Sequence, residues 1–242
     1  MSLAKIPLAI AAAWCYKQIT TSPNPPPSKK DSEGHISTSN WLESSAYTSY
    51  AAKIARRIQS LVGLAEVMTI LAYKFPSSPA SKTVLSALSF TTSADPSGLR
   101  PTPVALFGVA LLLLGTFLRL STYRHLGRFF RFEASIQVDH ELITSGPYSV
   151  VRHPSYSALL LTHPGWMLWQ FGKGSWIRQS GLWYTTAGRA AVSAYVVVMI
   201  FGSLYLTLGR MPDEDKALRE RFGKKWDEWA ERVPYRVIPG VW

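Results

Sequence analysis

Little in this chain supports thiol, metal or nucleotide-loop chemistry. Cys15 is the one cysteine among 242 residues, so an intrachain disulfide and a cysteine-type zinc site are excluded. The five histidines, His35, His125, His140, His153 and His163, show no HExxH or comparable spacing, and no metal is expected. GxSxG, Walker A and GxGxxG segments are missing, which argues against a soluble Rossmann cofactor site. Charge is scarce: charged residues make up 17%, against roughly 25% in an average soluble chain. Acid is scarcer still, with 15 Asp and Glu against 26 Lys and Arg, a net charge of +11. Nucleic-acid binding would want a basic patch on a recognisable soluble module. Neither is visible, so no nucleic-acid partner is expected, and basic flanks of membrane spans are the preferred reading.

What is abundant points toward lipid. Apolar residues make up 47%, and nine Trp, eleven Tyr and ten Phe suit aromatic belts at membrane interfaces. Residues 101–118, 154–172 and 190–209 are apolar runs bounded by Arg or His and Lys. Each approaches the ~20 residues that a helix needs to cross hydrocarbon. Window 58–73 is a fourth, and its Glu66 should face protein rather than lipid. IPLAIAAAWCY at 6–16 is a shorter fifth. The expected fold is all-α: a polytopic membrane helical bundle of about five transmembrane helices, with a C-terminal amphipathic cytosolic helix. Loops 17–57 and 119–153 and the tail 210–242 carry 19 of the 26 Lys and Arg. That bias places them together on the cytosolic side. It also opposes reading 6–16 as a cleaved signal.

The connections differ in character. Residues 22–40 are Pro/Ser-rich and read as disordered, within a loop of about 20–45. Residues 76–103 read as a loop, and 172–189 as a short turn with interfacial Trp176, Trp183 and Tyr184. In the tail, Leu218, Phe222, Trp226, Trp229 and Val233 form one apolar stripe, which suits a helix lying on the membrane. The chain divides into a variable region, 1–100, and a core, 101–242.

Chemistry has few places left. His140, Tyr148, Arg152, His153, Tyr156, Arg210 and Glu214 stand at the cytosolic ends of the spans. Singly, each has an ordinary reading: the arginines as anchors, the tyrosines as interfacial aromatics, His153 as a helix cap and Glu214 as an N-terminal acid. Arg210 and Glu214, four apart, share a face if the helix continues past Gly209. A hairpin of spans 154–172 and 190–209 would return them to the RHPSY segment.

SGPYSVVRHPSY before an apolar run, and RMPDEDKALRERFGKKWDEWAERVPYRVIPG after the hairpin, resemble the isoprenylcysteine carboxyl methyltransferase family. The two blocks cover about 100 residues of the C-terminal half, in the family's order. Tyr235-Arg236 stands where the family often has Gly or Thr after Val-Pro. The resemblance implies an endoplasmic-reticulum membrane enzyme with its active site facing the cytosol. It would use S-adenosyl-L-methionine to methylate the carboxylate of a C-terminal prenylated cysteine after CaaX processing. The cofactor positions fall on His140, Glu141, Leu142, Ile143, Tyr148, His153, Pro154, Ser155, Tyr156 and Glu214, with Gln137 for an upstream glutamine. The arginine that takes the substrate carboxylate, and so the catalytic position, falls on Arg210.

The chemistry suits these residue types. An α-carboxylate with a pKa near ~3.5 is already ionised, so methyl transfer to it needs no general base. Positioning and water exclusion remain as the sources of rate. An arginine grips a carboxylate through two hydrogen bonds. Membrane lipid is the implied surrounding of the prenyl chain. Two alternatives stay open: a membrane methyltransferase acting on another lipid or a small hydrophobic carboxylic acid, and a non-catalytic membrane scaffold.

Overall fold

Apolar side chains with no polar group to compete for backbone hydrogen bonds run from Pro103 onward, and the chain answers with a long helix. The structure is a computed structural model that describes residues 3–25, 32–35, 45–132, 135–137 and 139–241. Helices dominate: α1 (Lys5–Ile19), α2 (Ser45–Lys74), α3 (Pro79–Ala87), α4 (Pro103–Leu126), α5 (Pro154–Phe171), α6 (Trp176–Gln179), α7 (Thr186–Leu204), α8 (Met211–Phe222) and α9 (Lys224–Arg232). A two-stranded antiparallel ladder joins β1 (Ser32–His35) to β2 (Ser135–Gln137), with an irregularity between Ser32 and Gly34.

The helical class is as expected, and the small ladder is an addition to it. Each of the five apolar windows lies in a helix, but one stretch among the described residues is long and apolar enough to cross a membrane. It is Pro103–Phe129, 27 residues long, with an 18-residue window of mean hydropathy 2.1; Thr186–Gly202 is a shorter apolar helix. The first span therefore runs well past residue 118 and takes Arg119 into the helix. Residues 76–103, read as loop, hold α3 and a 3-10 turn at Pro96–Gly98. Trp176, expected at an interface, is buried in α6. The expected disorder of 22–40 falls largely on residues outside those described.

Two compact units divide the chain by contact. The first comprises Met1–Lys17, Arg56–Leu114 and Leu161–Phe201. In it α4 and α5 touch backbone to backbone. A Cβ on Gly108 would lie 2.7 Å from the Gly165 carbonyl oxygen, and a Cβ on Gly165 2.7 Å from that of Gly108. Small residues at such a crossing are the packing device of membrane helices. A polar network threads the same unit: Gln59 accepts from the Trp166 indole at 2.6 Å and donates to the Tyr195 hydroxyl at 3.0 Å. Glu66 faces protein, as its position in an apolar window demands. It pairs with Lys5 and accepts from the Trp176 amide at 3.1 Å, while Lys5 also donates to the Gly174 carbonyl.

The second unit comprises Gln18–Ala55, Gly115–Leu160 and Gly202–Trp242. The tail stripe does not lie on a single helix. Gly223, at φ 53 and ψ −127, breaks it into α8 and α9, and only glycine adopts that conformation readily. The stripe also faces inward. Trp226, Trp229 and Val233 are buried with Tyr148, and Leu218, Phe222, Leu142 and Ile143 pack around them. Burying each large side chain contributes roughly 1.5–3 kcal/mol, which outweighs a surface location for the stripe.

Candidate active site

The site forms within the second unit from the start of α5, the start of α8 and the terminal segment. His153 precedes Pro154, and a residue before proline is driven out of the helical region. Helix α5 accordingly begins at Pro154, while Arg152 and His153 turn their amides outward. The Arg152 amide donates to the Tyr235 carbonyl at 2.9 Å, and that of His153 to the Arg236 carbonyl at 2.8 Å. Ser157 Oγ then donates to the Val237 carbonyl at 2.6 Å. Val237 is buried with Tyr156, Leu159 and Met211. The terminal Val-Pro segment is thus a backing strip for RHPSY.

From the other side, the chain does continue past Gly209. Tyr205–Arg210 forms a π-helical segment that runs directly into α8. A π segment inside a helix rotates the facing of the downstream residues and recurs at functional sites. Arg210 Nε donates to Glu214 Oε1 at 2.8 Å, and Tyr156 Oη donates to the same oxygen at 2.8 Å. His153 bridges the two neighbouring acids. Its Nδ1 lies 3.6 Å from Glu214 Oε2, and its Nε2 makes a 2.8 Å hydrogen bond to Asp215 Oδ1. Arg236 and Arg152 lie 3.3 and 3.6 Å from Asp215 Oδ2.

This arrangement sets the charges. Burial alone would raise the Glu214 carboxyl, but Arg210, then His153 and Tyr156, hold it down to about 2. Burial would likewise lower His153, yet its bonds to Asp215 and Glu214 carry it above its ordinary value. Glu214 is therefore an anion at neutral pH, and His153 keeps its proton to a higher pH than a free histidine.

The structure brings Arg210, Glu214, His153 and Tyr156 into one constellation, with Pro154 and Ser155 opening α5 beneath them. The upstream residues gather separately. His140 stacks on Phe129 at 4.7 Å and tilts against Phe222 at 6.0 Å. Burial, then the Arg221 charge, lowers it to about 4, so it is neutral at pH 7. Gln137 is buried; its side chain donates to the Phe129 carbonyl at 3.1 Å, and its carbonyl accepts from the His140 amide at 3.1 Å. Glu141 is exposed, while Leu142, Ile143 and Tyr148 belong to the aromatic cluster of the tail. The Trp229 indole donates to the Tyr148 carbonyl at 3.1 Å.

Sequence reasoning missed Asp215 and Arg119 as members of the neighbourhood. Asp215 follows Glu214 directly near the start of α8, and that adjacency is the signal the sequence offers. Arg119 looked like the end of a span. It is buried inside α4, and its Nη1 donates to the Ser155 carbonyl at 3.2 Å and to Ser155 Oγ.

Together these features define a helical protein with a helix able to cross a membrane and a linked set of buried cations, carboxylates and a phenol. Residues 104–225 match the phospholipid methyltransferase family, and the chain belongs to it. It is 31% identical over 133 residues to protein-S-isoprenylcysteine O-methyltransferase B of Arabidopsis thaliana, covering 54% of this chain and 57% of that one. A probable protein-S-isoprenylcysteine O-methyltransferase of Oryza sativa subsp. indica is 27% identical over 132 residues, 54% of this chain and 59% of that one. A Delta(14)-sterol reductase of Mus musculus is 30% identical over 102 residues, 42% of this chain and 20% of that one. The chain thus spans less than two thirds of the length of the curated relatives it matches.

Proposed function

We propose that this chain is a membrane methyltransferase that esterifies the α-carboxylate of a C-terminal prenylated cysteine, with S-adenosyl-L-methionine as donor. The observation that carries the reading is the shared Glu214 oxygen, 2.8 Å from both Tyr156 Oη and Arg210 Nε. It joins the two blocks that resemble the isoprenylcysteine methyltransferases.

The residues fit the cofactor's chemistry. Glu214 is an ionised, half-buried carboxylate that can accept from amino and hydroxyl groups. Asp215 Oδ2 is already faced by the Arg236 and Arg152 guanidiniums, so Asp215 braces His153 rather than waiting for the cofactor. Glu214, Tyr156, His153 and the neutral His140 would hold the cofactor, which supplies an electrophilic methyl group on a sulfonium. Arg210 orients the acceptor carboxylate, and Glu214 fixes the guanidinium through Nε so that its direction is set beforehand. The acceptor is already an anion, so none of these residues has to remove a proton from it. The prenyl chain would take the hydrocarbon phase of the membrane that the stretch Pro103–Phe129 is long and apolar enough to cross. An endoplasmic-reticulum membrane with the site toward the cytosol suits both reactants. An arginine at this position favours an anionic acceptor over a lipid amine.

Membranes carrying the protein, incubated with labelled S-adenosylmethionine and N-acetyl-S-farnesylcysteine, should form a base-labile methyl ester. Label on other lipids alone would move the acceptor to another membrane molecule. No incorporation at all would remove the enzyme reading.

A further inference from the structure

Arg119 is a buried cation that the proposed methyl transfer leaves without a task. Its exposure is 8%, and among the described residues no carboxylate lies within ion-pair distance of it. Nε donates to Tyr123 Oη at 3.1 Å, and Nη1 donates to the carbonyl and hydroxyl of Ser155. No described residue accepts from Nη2. Three rings surround the guanidinium, those of Tyr123, Phe130 and Phe132, with centroids at 5.5, 5.3 and 5.5 Å. Ring faces and neutral acceptors hold a cation in place without cancelling its charge. A buried charge without a counterion is costly, and an arriving anion that pairs with it would relieve that cost. The position is that of a site residue. Ser155 lies between His153 and Tyr156, and the Arg119 charge also reaches the buried Tyr148 phenol.

Resting on the methyltransferase reading, we infer that Arg119 pairs with a carboxylate of a bound ligand through its uncommitted Nη2, as a second cationic contact beside Arg210. Two ligands of the reaction carry that group. One is the cofactor, at its methionyl end, and the other is the acceptor cysteine. The aromatic box excludes water from the guanidinium, which makes a charge-assisted hydrogen bond there stronger than one at the surface. The tethers to Ser155 and Tyr123 hold the fork in place before the ligand arrives, so little side-chain entropy is lost on binding.

Binding to purified full-length protein in detergent separates the two sources. Arg119→Met keeps the stem and removes the charge. Arg119→Lys keeps the charge and removes the fork, and it checks that the box still folds. If the cofactor's carboxylate is the partner, Arg119→Met should weaken S-adenosylhomocysteine binding roughly ten- to hundred-fold. Methylthioadenosine, which lacks that carboxylate, should then bind as it does to the unaltered protein. If the acceptor's carboxylate is the partner, the loss should appear for N-acetyl-S-farnesylcysteine and be absent for its methyl ester. Arg119→Lys should fall between in either case. Equal weakening with and without the carboxylate, or no weakening, in a folded variant overturns the inference. Failure of the unaltered protein to bind any of the four ligands instead overturns the proposed function, and this inference with it.

Discussion

His153 shows most clearly how single groups set the behaviour of the site. Its folded value is raised, so its contribution is fully present below about 6.5 and is lost as pH rises through the higher folded value. Stability of the folded protein should therefore decline on the alkaline side, and His153→Asn should flatten that limb in a thermal-unfolding series against pH. Glu214 works in the opposite sense. Its lowered carboxyl contributes above about 4.3 and loses that contribution only as pH falls toward about 2. Arg210→Lys keeps a cation but loses the planar fork that Glu214 orients. It should cut turnover by about 10²-fold while the melting temperature barely moves. A purely structural arginine would show the reverse. The proximity of some residues at this scale was legible beforehand, because Arg210 and Glu214 stand one helical turn apart and His153 stands beside Pro154 and three residues before Tyr156. Asp215 and Arg119 were not. Their roles come from partners distant in sequence, and the position of an acid in a helix first turn, or of a basic residue at the end of an apolar run, has a sufficient local explanation.

Among elements, the tail departs most from its sequence pattern. Spacings of three and four residues from Leu218 to Val233 read as one continuous stripe, yet the chain turns at Gly223 and makes two helices. The apolar spacing survives because both helices bring those residues to the same aromatic cluster around Tyr148. A phenylalanine-glycine pair inside a helical pattern was the cue. Its effect could be judged only once φ 53 and ψ −127 were known. No atom would touch a Cβ at this position, so Gly223→Ala tests the backbone alone. It should destabilise by about 1–3 kcal/mol, read by thermal unfolding in detergent. An unchanged melting temperature would show that the break is not needed. The terminal strip was equally hidden. Its grip on Arg152 and His153 runs through backbone hydrogen bonds, which side-chain patterns do not report.

For the whole molecule, the expected helices are present, while the surroundings of several differ from a simple set of lipid-facing spans. Polar residues in the first unit are organised rather than scattered. Gln59, Trp166 and Tyr195 form one network, and Lys5 and Glu66 form a buried pair at 0% and 3% exposure. Glu66 was readable as protein-facing from its position in an apolar window, but its partner 61 positions away was not. Lys5→Met should destabilise the protein by about 3–5 kcal/mol, because it leaves a buried carboxylate alone. Combining it with Glu66→Leu should recover much of that loss. Unfolding midpoints of the two variants check this. Little change in the single variant would mean that the pair is reached by water.

The central claim is that the α5 start and the α8 start act as one cofactor site. The most direct test is a double-mutant cycle on S-adenosylhomocysteine affinity with Tyr156→Phe and Glu214→Gln. Because the two side chains share one oxygen at 2.8 Å, each single change should weaken binding, and the pair should cost little more than the worse single change. The coupling should reach about 0.5–3 kcal/mol. Strictly additive effects, or product affinity untouched by either change in folded protein, would contradict the claim.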